Sequence, residues 1–145
     1  MTLRVSAYAV IVEERGMLLS RLAPTVGIGP LWTLPGGGLD PFEDPADAAV
    51  REVREETGYD VEVDELVGIS SLVVDPALTP TKLTEKSQLL RIVYRGHVVG
   101  GALAYEVGGS TDIAGWIALT EIDGLPRVEL VDVARAFAGL LPSST

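Results

Sequence analysis

The chain has 145 residues, 47% of them hydrophobic, with 11 basic and 21 acidic side chains and a net charge of −10. That length fits one domain with a real core, residues 1–145 as a single unit. The acidic balance disfavours nonspecific binding to nucleic acid or to an anionic membrane. There is no cysteine, which excludes disulfides, thiolate metal sites and thiol nucleophiles.

The first apolar segment, LRVSAYAVIV, is interrupted by Arg4 and followed by Glu13 and Glu14. It is too short to span a bilayer. No small-residue cleavage site follows it, so residues 3–13 read as a buried strand and not as a leader. With the absence of cysteine, this fits a cytoplasmic protein. Arg15-Gly16 reads as a turn and residues 17–22 as the hairpin partner. The Gly/Pro-rich stretch 23–30 reads as a loop. LWTL at 31–34 reads as a short strand running into Gly36-Gly37-Gly38.

Helix signals come next. Asp44 suits the cap, Pro45 the first helical position and Asp47 the negative first turn. Gly58 suits a left-handed stop. The helix is therefore expected over 45–57. Residues 61–74 suit one or two strands, and 75–88 a long loop with Pro76 and Pro80. LLRIVYRGHVV and ALAYEV flank Gly100-Gly101 and predict a hairpin. GWIAL at 115–119 predicts a last strand, and the apolar spacing over 127–141 predicts a second helix. Strands with one early and one late helix imply a mixed sheet between helices.

On the 45–57 helix, Glu52, Glu55 and Glu56 fall within an arc of about 100°. Ala46, Ala49, Val50, Val53 and Thr57 form a neighbouring arc suited to the sheet, and Ala48 leaves room among the glutamates. Three carboxylates on one face repel one another by a few tenths of a kcal/mol per i,i+4 pair. A solvated acidic face is one outcome of such a pattern. The other is a hard cation, since Mg²⁺ takes carboxylates, waters and substrate phosphates together. A divalent cation would also offset the field that this acidic chain presents to an anionic substrate. The glycine run lets backbone approach a ligand or metal closely.

The loop and helix hold Gly37, five residues, Glu43, seven residues, then Arg51-Glu52-Val53-Arg54-Glu55-Glu56-Thr57-Gly58-Tyr59. This resembles the Nudix box, G-x5-E-x7-R-E-U-x-E-E-x-G-U, of the Nudix (MutT-like) hydrolase family, and every defined position agrees when Tyr59 counts as the final bulky residue. The resemblance implies the Nudix fold, an α/β arrangement with a mixed β-sheet sandwiched between helices (α/β/α). It implies that Glu52, Glu55 and Glu56 hold Mg²⁺ (or Mn²⁺) and that one of them serves the general base. The Gly36 carbonyl would be a backbone ligand. Glu43 and Arg51 would brace the loop, with Gly37 and Gly58 as structural glycines. The residue before Glu43 is often glycine in the family; here it is Phe42, which puts the loop conformation in question.

Many members take one more acid from outside the box. Asp112, in a Gly/Ser/Thr-rich stretch before Trp116, is favoured over Glu106. Lys82, Lys86 and Arg91 are candidates to contact substrate phosphate. His97, Trp32, Trp116 and Tyr94 read as structural, and for Tyr59 the box position says the same. The implied reaction is hydrolysis of the pyrophosphate linkage in a nucleoside diphosphate joined to another moiety. Pro76, seventeen residues past Tyr59, leans toward ADP-ribose or nucleotide sugars. The compact chain equally resembles (d)NTP pyrophosphohydrolases that sanitise nucleotide pools. A nucleotide-sensing module without turnover is the remaining reading, though such modules usually have an eroded box and this one is complete. The absence of a basic patch argues against an mRNA-decapping role. Family members are often homodimers, so a homodimer is also implied.

Overall fold

The computed structural model describes residues 2–24, 29–78, 81, 83–104 and 111–141, with the backbone alone of Thr111 and Asp112. The strands are β1 (Thr2–Val10), β2 (Val12–Glu13), β3 (Gly16–Leu22), β4 (Trp32–Thr33), β5 (Gly36–Gly38), β6 (Tyr59–Val74), β7 (Ser87–Gly101) and β8 (Thr111–Ile117). Helix α1 spans Pro45–Thr57 and α2 spans Glu129–Phe137. One sheet has the order β5-β1-β7-β6, with β1 and β7 parallel and its other neighbours antiparallel. In the second, β3 pairs with β2, β4 and β8, all antiparallel.

Alternation along β1 sets the layers, because successive strand side chains point to opposite faces. Ala7 packs with Ala48 and Ala49 of α1, and Ala9 joins Ile11, Leu18 and Val53 on the same side. Val10 points the other way, into a cluster with Met17, Leu19, Val93, Leu130 and Val131 under α2. The helices thus cover opposite faces, which is the α/β/α sandwich expected. Val53 is fully buried, worth about 2 kcal/mol relative to exposure. No helix among the described residues is long and apolar enough to cross a membrane.

Helix α1 forms as its sequence dictates. Asp44 accepts from the Ala46 N–H at 2.9 Å, and Gly58 closes the helix at φ 82° with its N–H on the Arg54 carbonyl. Elsewhere the pairing departs from local reading. The first strand is divided at Ile11 into β1 and β2. Residues 61–74 fall within one sixteen-residue strand, with register shifts at Asp60/Val61, Val63/Glu65 and Leu66/Gly68. The predicted hairpin about Gly100-Gly101 is not made by β7. That strand pairs with β6 and β1 instead, and Gly101 (φ 81°) sits opposite Tyr59 at the end of the ladder. A glycine pair ends a long strand as readily as it turns a hairpin, and residues 105–107 of the supposed partner lie outside the described set. The last strand is displaced to 111–117, and α2 is shorter than 127–141. Gly139 takes φ 73° just past its end, and the Leu140 N–H turns back to the Arg135 carbonyl at 2.8 Å.

Phe42 resolves the question of its loop. It adopts φ 65°, the conformation a glycine would take, and its side chain is fully exposed. It does not cover the loop.

Candidate active site

Strand β5 consists of three glycines at the edge of the first sheet. Its register places Gly36 beside Tyr8, Gly37 beside Ala7 and Gly38 beside Ser6. A Cβ on Gly37 would lie 2.8 Å from Glu52 Cδ, so the missing side chain is space that the Glu52 carboxylate uses. On Gly36 a Cβ would lie 2.3 Å from the Ala7 carbonyl oxygen. The glycine run therefore brings α1 against the sheet edge with no side chain in between.

Arg51 organises the acids. Its Nε and Nη2 each donate to one Glu43 oxygen, both at 2.9 Å, and Nη2 also donates to the Gly38 carbonyl at 3.1 Å. Nη1 reaches Glu52 at 3.0 Å and Glu55 at 3.3 Å. The Arg51 hydrogen bonds, with the Asp40 N–H, hold the Glu43 carboxyl down to about 2. Glu43 and Arg51 thus tie loop to helix as expected, and Arg51 also fixes two of the three helix glutamates.

Glu56 is different. It is only 5% exposed and accepts from the Gly36 N–H at 2.9 Å. Burial pushes its carboxyl up to about 8; the Gly36 N–H pulls against that, and the charges of Glu52 and Glu55 add to the rise. The buried Ser20 hydroxyl adds a weaker downward pull without reaching hydrogen-bond geometry. Glu52 is likewise raised, chiefly by burial, against the pull of Arg51. The sequence wheel placed the glutamates beside the core face; in the fold Glu56 is in it, and Ala48 packs against Ala7 instead of opening space for a ligand.

Among the described residues no three acids converge in metal-ligating geometry as they stand. Arg51 holds Glu52 and Glu55, and the Gly36 N–H holds Glu56. The donors nevertheless suit a hard divalent cation. They are all oxygen, they share one helix face, and a bound cation would favour the ionised form of Glu56 that burial alone disfavours.

A cavity of about 860 Å³ opens from β5 and Glu56 across the α2 face of the first sheet. Apolar groups such as Leu22, Leu31, Leu72, Leu83, Leu89 and Val128 make most of its wall. Its charged lining residues are Arg4, Glu56, Arg91 and Glu129, and Tyr8 lies among them. Burial raises the Tyr8 hydroxyl, and the charges of Glu56 and Arg91 both act on it.

Of the residues singled out for substrate, Arg91 lines this cavity. Lys86 is exposed and is not among the lining residues. Lys82 and Glu106 lie outside the described residues. Asp112 falls in β8 where Thr111 faces Leu22 and Ile113 faces Arg21, so it is the extra residue of a bulge beside a cavity-lining position. Bulges are common next to active sites. His97 is held by Asp64 at 2.8 Å on the exposed face of β7, and Trp116 donates to the Tyr59 hydroxyl at 3.0 Å. Both stand apart from the cavity lining, as do Trp32 and Tyr94. Tyr8 and Glu129 were not anticipated. Neither belongs to a local motif, and only the pairing of β1 with β5 and the docking of α2 bring them to the site.

A family model described as NUDIX domain matches residues 2–137. A Bacillus subtilis protein named "Putative 8-oxo-dGTP diphosphatase" is 40% identical over 63 residues, 43% of this chain and 40% of that one. Human "Diphosphoinositol polyphosphate phosphohydrolase 3-alpha" is 43% identical over 37% of each chain. These alignments thus span about two fifths of the relatives' length. Among solved structures, a NUDIX hydrolase from Nitrosomonas europaea superposes with TM-score 0.77 at 27% identity, covering 94% of this chain and 88% of that one.

Proposed function

Because the chain belongs to the NUDIX family, we propose that it is a pyrophosphohydrolase that uses Mg²⁺ or Mn²⁺ to cleave a phosphoanhydride bond of a nucleotide. The observation that carries this reading is the complete set of helix glutamates beside a side-chain-free strand that opens directly onto a ligand-sized cavity. Glu52, Glu55 and Glu56 would hold the cation, with the Gly36 carbonyl as a further oxygen. When bound, the cation neutralises pyrophosphate charge and lowers the pKa of a coordinated water.

The chain's own residues do the rest. The glycine strand lets the phosphate chain approach α1. The Gly36 N–H fixes Glu56, and Arg51 keeps Glu52 and Glu55 oriented. Asp112, at its bulge, is the proposed acid from outside the box, with Glu106 the alternative. Lys82 and Lys86, from the segment between β6 and β7 (the predicted 75–88 loop, of which 87 and 88 belong to β7), remain proposed phosphate contacts. Among substrates, a nucleoside triphosphate is favoured. The wall is largely apolar, which suits the faces of a single base. Pro76, which leaned toward ADP-ribose, lies in the turn after β6 and outside the cavity lining. The name of the Bacillus subtilis relative points the same way.

The test is a hydrolysis screen over (d)NTPs, ADP-ribose, nucleotide sugars and dinucleoside polyphosphates, with and without EDTA. Chelation should abolish turnover. Glu56→Gln should lower kcat by about 10²-fold for every substrate, as loss of a strong electrostatic group does, and Asp112→Asn should lower it more than Glu106→Gln does. Near wild-type turnover by Glu56→Gln would defeat the assignment. Nucleotide binding without any product would support the sensing module.

A further inference from the structure

We infer that Arg91 and Glu129 form the base-reading pair of the cavity and select a guanine-type base over adenine. The inference rests on the nucleotide reading above and goes beyond it in naming the residues and the base.

Arg91 stands on β7, level with Ser6 of β1 on one side and Ser70 of β6 on the other. Its side chain is 7% exposed, a deeply placed cation. Nη2 donates to Ser70 Oγ at 2.7 Å, Nη1 pairs with Glu129 Oε1, and Nε is buried without a partner. Glu129 is the first residue of α2 and half exposed, and both members of the pair line the cavity. The register sets the spacing. Tyr8 lies beside Gly36, where Glu56 is anchored, and Ser6 lies beside Arg91. Two residues along a strand are roughly 7 Å, so the pair stands about that far along the cavity from the Glu56 anchor.

A phosphate does not suit this place. Two donor groups of the guanidinium are already engaged, and the Glu129 carboxylate repels a second anion. A neutral group with a donor and an acceptor side by side does suit it. The aliphatic wall of Leu31, Leu72, Leu89 and Val128 fits the faces of a flat heterocycle. Together these describe a nucleobase. The carboxylate decides which one, because it only accepts hydrogen bonds. Guanine presents two adjacent donors, N1–H and the 2-amino group, with the O6 acceptor beside them for the guanidinium. Adenine would turn its bare N1 acceptor toward the carboxylate. Arginine is also the usual partner of guanine O6.

A latch between α2 and the sheet is the simpler role for the pair, and it predicts no base preference. The experiment compares kcat/KM for dGTP, dATP and dITP, and calorimetric Kd for methylene-bridged GTP and ATP analogues with Mg²⁺. The wild type should favour dGTP over dATP, and over dITP, which lacks the 2-amino donor, by about tenfold each, the scale of one good base contact. In Glu129→Gln the amide oxygen can stay on Arg91 while the NH₂ group meets guanine's donors. The guanine-to-adenine ratio should then fall by about tenfold, carried by KM and read as a ratio within the same folded variant. The dITP comparison uses the wild type alone and so does not depend on the variant folding. Equal use of dGTP and dITP, or an unchanged ratio in Glu129→Gln, overturns the assignment. Guanine-selective binding without turnover would sink the hydrolase reading and leave the pair standing. Turnover without base preference does the reverse, and no nucleotide binding at all sinks both.

Discussion

Alanine at Gly36, Gly37 and Gly38 should give three different phenotypes from one strand. At Gly37 the new Cβ meets Glu52 Cδ at 2.8 Å and its oxygens at 2.9 and 3.0 Å. Ordinary carbon contacts are about 3.5–4.0 Å, so the carboxylate must retreat by roughly 1 Å. It is the far end of a flexible side chain, and an off-rotamer adjustment costs about 1 kcal/mol, or roughly 4 °C in Tm for a domain of this size. A 1 Å displacement in a catalytic site can cost about 10²-fold in rate. Gly37→Ala should therefore melt nearly like the wild type and turn over about a hundredfold more slowly. At Gly36 the Cβ meets the Ala7 carbonyl oxygen at 2.3 Å and Tyr8 Cα at 2.6 Å, with φ at 153°. Main chain inside a sheet does not yield, and overpacking with backbone strain should cost about 4 kcal/mol, a large part of a typical stability of roughly 5–15 kcal/mol. At Gly38 nothing lies within 4 Å, so alanine should be neutral or stabilise by about 0.5 kcal/mol through the unfolded chain. Thermal melts and steady-state kcat at saturating Mg²⁺ read both axes. If Gly37→Ala unfolds before Gly36→Ala yet keeps its turnover, the placement of Glu52 against β5 is wrong.

Two further outcomes test the loop. Glu43 is depressed to about 2 by Arg51 and the Asp40 N–H. A folded-state value below the ordinary 4.5 stabilises the protein above that pH, and the contribution is lost as pH falls from about 4.5 through 2. Glu43→Gln should melt below the wild type at pH 7 and converge with it on acidification; parallel Tm–pH curves would mean that the pair carries no such linkage. Phe42→Gly should relieve about 1 kcal/mol of left-handed strain against a similar entropic cost of glycine, leaving stability and kcat nearly unchanged. A drop of more than about 1 kcal/mol on urea unfolding would show that Phe42 has a partner.

Helix α1 was legible to the residue because every signal for it is local: the Asp44 cap, Pro45, the glutamate face and the Gly58 stop. The Glu43–Arg51 brace was legible from the box resemblance. The pairing of β7 between β1 and β6 was not, since a glycine pair says where a strand ends and not which strand lies beside it. The same limit hid Tyr8 and Glu129, which join the site only through long-range register. Arg91 was singled out for its charge and read as a phosphate contact. It does line the cavity, and its burial and its bond to Glu129 are features that sequence does not display. Glu56 was read on the acidic face, but helical geometry alone did not say that this face turns inward at its last turn.

The first sheet has its carboxylate helix on one face and most of the cavity on the other, with the edge strand of glycines and Glu56 where they meet. Changes at wall positions away from Tyr8 and Glu56 should therefore combine almost independently with changes on α1, as substitutions without shared partners do. Selection acting on the cavity wall, at Leu31, Leu72 or Glu129, can redirect the chain to a new ligand without disturbing the groups that break the bond. A library restricted to those positions should hold many active variants with altered preference. One restricted to α1 should hold almost none. Laboratory evolution of this scaffold has its natural starting point on the α2 side of the sheet.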